Sequence, residues 1–64
     1  MWYDIFRFWL ITDVGVMTWA HDMGDIQLYH DALHFSRVYD AVELWDRQEG
    51  KRYMLDDFRE WKEV

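Results

Sequence analysis

Trp2-Tyr3-Asp4-Ile5-Phe6-Arg7-Phe8-Trp9-Leu10-Ile11 is the stretch whose reading decides the fold. Aromatic and β-branched side chains dominate it, a composition that favours an extended strand. Side chains alternate along a strand, so one face would carry Trp2, Phe6, Phe8 and Leu10 and the other Tyr3, Ile5, Trp9 and Ile11. Both faces are apolar. A half-buried strand alternates apolar with polar residues, so this one is expected either in the middle of a sheet or against a partner on its second face.

Thr12-Asp13-Val14-Gly15 reads as a tight turn with Gly15 at a positive φ, and Val16 to Ala20 as a second strand returning antiparallel to the first. His21-Asp22-Met23-Gly24 breaks that strand. Asp25 is placed to cap a helix running to about Tyr39. Leu28, Ala32, Phe35 and Tyr39 form its core-facing stripe, while Ile26, Tyr29 and Leu33 form a second apolar cluster around the axis. Ala41 to Arg47 is expected to be a third strand, Gln48 to Lys51 a hairpin turn with Gly50 in the left-handed region, and Arg52 to Leu55 the fourth strand. Val38, Ala41, Val42 and Trp45 also have helical spacing, but the turn chemistry at Gly50 favours the strand. The tail from Asp56 to Val64 reads as a short helix, with Asp57 and Glu60 at capping-box spacing and Phe58 and Trp61 on one side. The expected fold is a single α+β domain over residues 1–64: a small antiparallel sheet in ββαββ order, one helix packed on it, and a short C-terminal helix.

Sixty-four residues allow one core, and a core of that size is marginal without staples. Cysteine is absent, which excludes disulfides and thiolate metal clusters and points to a reducing cytoplasm. Asp4 and Arg7 interrupt the apolar opening and no basic leader precedes it, so neither a signal peptide nor a membrane span is expected. The formal net charge of −6 disfavours nucleic acid and anionic membranes as partners and suits a basic protein surface.

Catalytic and metal chemistry find little to build on. The hydroxyl nucleophiles are Ser36, Thr12 and Thr18, and the glycines at 15, 24 and 50 are isolated turn residues rather than a phosphate loop. Asp56-Asp57 reads as a helix cap. His30 and His34 share a helix face and have metal-ligand spacing, but Asp31 stands where a zinc protease helix carries its general-base Glu. No clear third ligand exists beyond His21 and Asp22, so the pair is expected to be solvated. No catalytic residue, metal ligand or cofactor is therefore assigned. Arg47, Lys51 and Arg52 beside Trp45 and Tyr53 would suit base stacking with phosphate contact, yet Asp46, Glu49 and the net charge offset them, and a solvated hairpin edge is expected. The carboxylates are spread evenly enough for either phosphate mimicry or an ordinary acidic surface.

Aromatic residues make up 20% of the chain and include five tryptophans, more indole than so small a core can enclose. Surface Trp and Tyr are enriched at binding hot spots. Trp2, Trp9, Trp45 and Trp61 are accordingly expected to anchor a partner, with Asp46, Asp57 and Glu60 steering its approach. The apolar surplus also predicts a homodimer covering Tyr3, Ile5, Trp9 and Ile11, or Ile26, Tyr29 and Leu33.

A cysteine-free, acidic, aromatic-rich ββαββ chain of this length is similar to small accessory proteins encoded by bacteriophages, and Asp31 to Tyr53 resembles a helix–strand–hairpin element common in them. Many such proteins inhibit host enzymes or defence complexes, anti-CRISPR proteins among them. The resemblance implies a non-enzymatic inhibitor that acts in the cytoplasm of the bacterial host by occluding a functional surface of a nucleic-acid-handling protein. It carries over no functional residue. The alternative is a homo-oligomer that sequesters a small ligand between aromatic faces.

Overall fold

Two hairpins and a helix account for most of the chain in the computed structural model, which describes residues 2–64. A short 3-10 turn, Trp2–Ile5, leads into strand β1, Phe8–Thr12, and strand β2, Gly15–Ala20. Helix α1 follows at Ile26–Val38, then strands β3, Val42–Asp46, β4, Lys51–Leu55, and β5, Trp61–Glu63. The five strands form one sheet in the order β2-β1-β3-β4-β5, every neighbouring pair antiparallel. β1 is an interior strand, flanked by β2 and β3, and the alternative of a foreign partner on its second face is not needed to place it. Both sequence-placed glycine turns hold: Gly15 has φ 119° and Gly50 φ 67°.

The helix forms where its cap and stripe place it. The Asp25 side chain accepts a hydrogen bond from the Leu28 amide at 3.1 Å, and Leu28 and Ala32 are fully buried. Phe35 and Tyr39 complete the stripe from its half-buried edge. Across from it, the sheet contributes Phe8, Leu10, Ala20, Val42 and Leu44 to the core. Burying a side chain such as Leu10 or Leu44 stabilises the fold by about 2 kcal/mol, and five of the seven buried apolar residues described are of this larger kind, the others being Ala20 and Ala32.

The two ends of the chain depart from the sequence-based expectation. The first strand begins at Phe8 rather than Trp2, because residues 2–5 turn back over the helix-free face of the sheet. The Trp9 indole donates to the Tyr3 carbonyl at 2.8 Å, and the Arg47 guanidinium bonds the carbonyls of Asp4 and Phe6 at 2.8 and 3.0 Å. Tyr3 stacks on Trp19 and Trp2 meets the same ring edge-on. The aromatic surplus of the opening segment therefore covers the second face of its own sheet.

The expected C-terminal helix is overturned: the tail is a tight turn followed by β5, so the order is ββαβββ. A nine-residue helix with no neighbour to bury its face is marginal. Pairing with β4 places Trp61 opposite Leu55, where it packs against the core. The capping residue is Asp56 rather than Asp57, and it caps a turn. Among the described residues no helix is long and apolar enough to cross a membrane.

Candidate protein-binding surface

The turn that replaces the expected helix presents the most exposed large apolar side chain described, Phe58, at 84%. Asp56 builds this turn. Its carboxylate accepts from the amides of Phe58 and Glu60 at 2.9 and 3.0 Å, its own amide donates to the Glu60 carbonyl, and its carbonyl accepts from the Arg59 amide. Such closed Asx-type bonding is why Asp outcompetes helix at this position. Arg59 takes φ 61°, the left-handed region that a residue with a Cβ adopts only when its surroundings require it. A tether from the helix completes the arrangement, because the Tyr29 hydroxyl donates to the Arg59 carbonyl at 2.6 Å. Arg59→Gly relieves the steric cost and is expected to leave the melting temperature unchanged or raise it slightly. A fall of several degrees in a thermal melt would show that the Arg59 side chain itself holds the turn.

Tyr29 joins the turn to a shallow depression of about 440 Å³ lined by Met23, Ile26, Tyr29 and Trp61. Its ring meets Trp61 edge-on with centroids 6.5 Å apart. Ile26 on the rim is 71% exposed. The acids at this end, Asp22, Asp25, Asp57 and Glu60, are all exposed, and Arg59 is the cation among them. Phe58 on the turn and Ile26 on the rim are both exposed apolar side chains, and Tyr29 links the two places through its bond to Arg59 and its position in the depression.

The residues expected from sequence to bind a partner divide into two groups. Asp57 and Glu60 flank Phe58 in the exposed turn, while Trp61, the first residue of β5, is half-buried against the core and Tyr29. Trp9 and Trp45 lie on the helix-free face, directly opposite each other in register and in line with Trp19 and Arg52. Trp2, 64% exposed, stands over Trp19 beside them. Asp46 is not available for steering. Its side chain is 4% exposed and held by two bonds from Arg7, both 2.9 Å, while its Oδ1 also accepts from the amides of Gln48 and Glu49. The Arg7 guanidinium keeps this carboxyl below the usual carboxylate range, against the opposing effect of burial and with help from the two turn amides.

The surfaces read from sequence as dimer faces are partly used internally: Tyr3 and Trp9 pack on each other, and Tyr29 is tied to the turn. His30 and His34 are both exposed on the helix, and among the described residues no cluster of three His, Cys, Asp or Glu side chains could hold a metal. Phe58 is the residue that sequence reasoning left out of the binding set, whereas Tyr29, expected on a dimer face, instead ties the helix to the turn. The signal for Phe58 lies in Asp56, whose side chain favours a turn as readily as a cap.

No family model, curated protein or solved structure matches this chain.

Proposed function

We propose that this chain is a non-enzymatic protein-binding inhibitor, of the kind bacteriophages encode, that docks its Phe58 turn on a basic functional surface of a bacterial nucleic-acid-handling protein. The observation that carries this reading is an aromatic side chain 84% exposed on a turn that five hydrogen bonds hold rigid. Leaving Phe58 in water contributes nothing to the fold, and a preorganised anchor lowers the ordering cost of association. Asp57 and Glu60 flank it and would speed the approach of a positively charged partner.

Captured proteins compared between wild type and the double variant Asp57→Lys/Glu60→Lys test the proposal. The expected result is a bacterial protein retained by the wild type and lost from the variant, with wild-type affinity falling as salt screens the opposite charges. Binding that ignores both the charge reversal and the salt would sink the basic-surface reading. Both positions are exposed, so the variant is expected to keep the wild-type circular dichroism spectrum.

A further inference from the structure

At the other end of the sheet, the hairpin joining β3 and β4 borders a second depression, of about 460 Å³, lined by Trp9, Trp45, Asp46, Arg47, Lys51 and Arg52. Its size is within the range of about 300–1,000 Å³ common for small-molecule sites. By sequence, Asp46 offsets the charge of this cluster. In the fold it does not, because its carboxylate is consumed by Arg7 within the protein. The acids nearby are Asp4, whose carbonyl accepts from Arg47, Glu43, 3.7 Å from Arg52, and Glu49 in the turn, beside the three cations Arg47, Lys51 and Arg52. A chain of net charge −6 thus gathers three cations and two indoles at one hairpin.

The walls are fixed. Arg47 is held by the carbonyls of Asp4 and Phe6, and its guanidinium lies 3.9 Å from the centre of the Trp9 ring. The Trp45 indole, in a residue 37% exposed, is oriented by a 3.0 Å bond from its Nε1 to the Glu43 carboxylate. Lys51 and Arg52 are exposed at the mouth. Flat aromatic surface beside exposed cations fits a ligand that joins a planar ring to an anion. An acidic peptide would use the cations and leave the indole unused.

We propose that this depression binds a nucleoside phosphate, with the base stacked on Trp45 and the phosphate held by Lys51 and Arg52. Stacking of a base on an aromatic side chain contributes about 1–3 kcal/mol, which makes Trp45 the principal determinant. The phosphate is taken by side chains, since no glycine-rich backbone cradle is present in the sequence. The same chemistry is offered by a free nucleotide and by the end of a single strand. The site lies apart from the Phe58 turn and stands whether or not that turn binds a protein.

Isothermal titration of the full chain at low salt with adenosine monophosphate, single-stranded oligothymidylate, inorganic tripolyphosphate and polyglutamate tests the proposal. Saturable binding of the mononucleotide is expected, with Trp45→Ala weakening it about tenfold and Trp45→Phe retaining most of it. Lys51→Glu/Arg52→Glu should abolish the binding, and Phe58→Ala should leave it unchanged. Tighter binding of the oligonucleotide would assign the site to single strands, and equal binding to free nucleotides. Absence of saturable mononucleotide binding would overturn the proposal, as would tripolyphosphate or polyglutamate binding as tightly as the nucleotide. If Trp45→Ala lowers the folded fraction, the Lys51→Glu single variant at an exposed position decides: nucleotide affinity undiminished by it refutes the site.

Discussion

Asp46→Ala is expected to destabilise the protein by about 3 kcal/mol, the largest effect of any single polar substitution in this fold. Asp46 is 4% exposed and satisfies four donors: two from the Arg7 guanidinium and the amides of Gln48 and Glu49. Removing it takes the shared acceptor from the turn amides of Gln48 and Glu49 and from the Arg7 guanidinium, and a buried acceptor that serves several donors is costly to lose. In a domain of this size each kcal/mol moves the midpoint by about 4–8 °C, so a fall of some 15 °C should be seen in a thermal melt.

The pH dependence follows from the same contacts. Arg7 lowers the folded-state pKa of Asp46, so the contribution is fully present above the unfolded carboxylate value of about 3.9. It is lost as pH falls from there through the folded pKa. Urea unfolding at neutral pH and again in acid should therefore show wild type and Asp46→Asn converging in acid. A gap that stays constant, or a melting temperature unchanged in Asp46→Ala, would mean that the Arg7 contact contributes nothing net.

Sequence legibility divided along physical lines. The helix was readable because Asp25, Leu28, Ala32, Phe35 and Tyr39 state cap and period together. Both hairpin turns were readable because Gly15 and Gly50 mark backbone that other residues avoid. The interior position of β1 was one of two alternatives that its apolar faces left open, and what covers its second face was not legible. That cover is the chain's own residues 2–6, and hydrophobic content cannot distinguish an internal cover from a foreign one. The tail was misread because Asp56, Asp57 and Glu60 satisfy the local rules for a helix start. The hairpin pairing of Leu55 with Trp61, and a hydroxyl from Tyr29 thirty positions from Arg59, outweighed those rules. The grip of Arg7 on Asp46, |i−j| = 39, is equally invisible to local pattern, which is why Asp46 looked like a surface charge.

Phe58→Ala is expected to weaken the partner complex about a hundredfold while leaving the fold intact, a separation that few aromatic residues in a small protein would permit. Truncating a core aromatic costs about 3–5 kcal/mol of stability, because buried contacts vanish and a cavity remains. Phe58 has almost none to lose: it is 84% exposed, and the bonds that shape its turn come from its backbone amide, Asp56, Glu60 and Tyr29. Its melting temperature should match wild type within a degree or two, since exposed substitutions change stability by about half a kcal/mol at most. The binding loss should be mainly a faster dissociation rate, as expected when an anchor is removed from a complex whose electrostatic steering by Asp57 and Glu60 is untouched. Asp57→Lys/Glu60→Lys should show the opposite pattern, a slower association rate with a smaller change in dissociation. Surface plasmon resonance on the captured partner separates the two. Equal affinity of Phe58→Ala and wild type would remove the turn from the interface. A Phe58→Ala variant that binds weakly because it has unfolded, seen as a lost thermal transition, would show that Phe58 serves the fold rather than recognition.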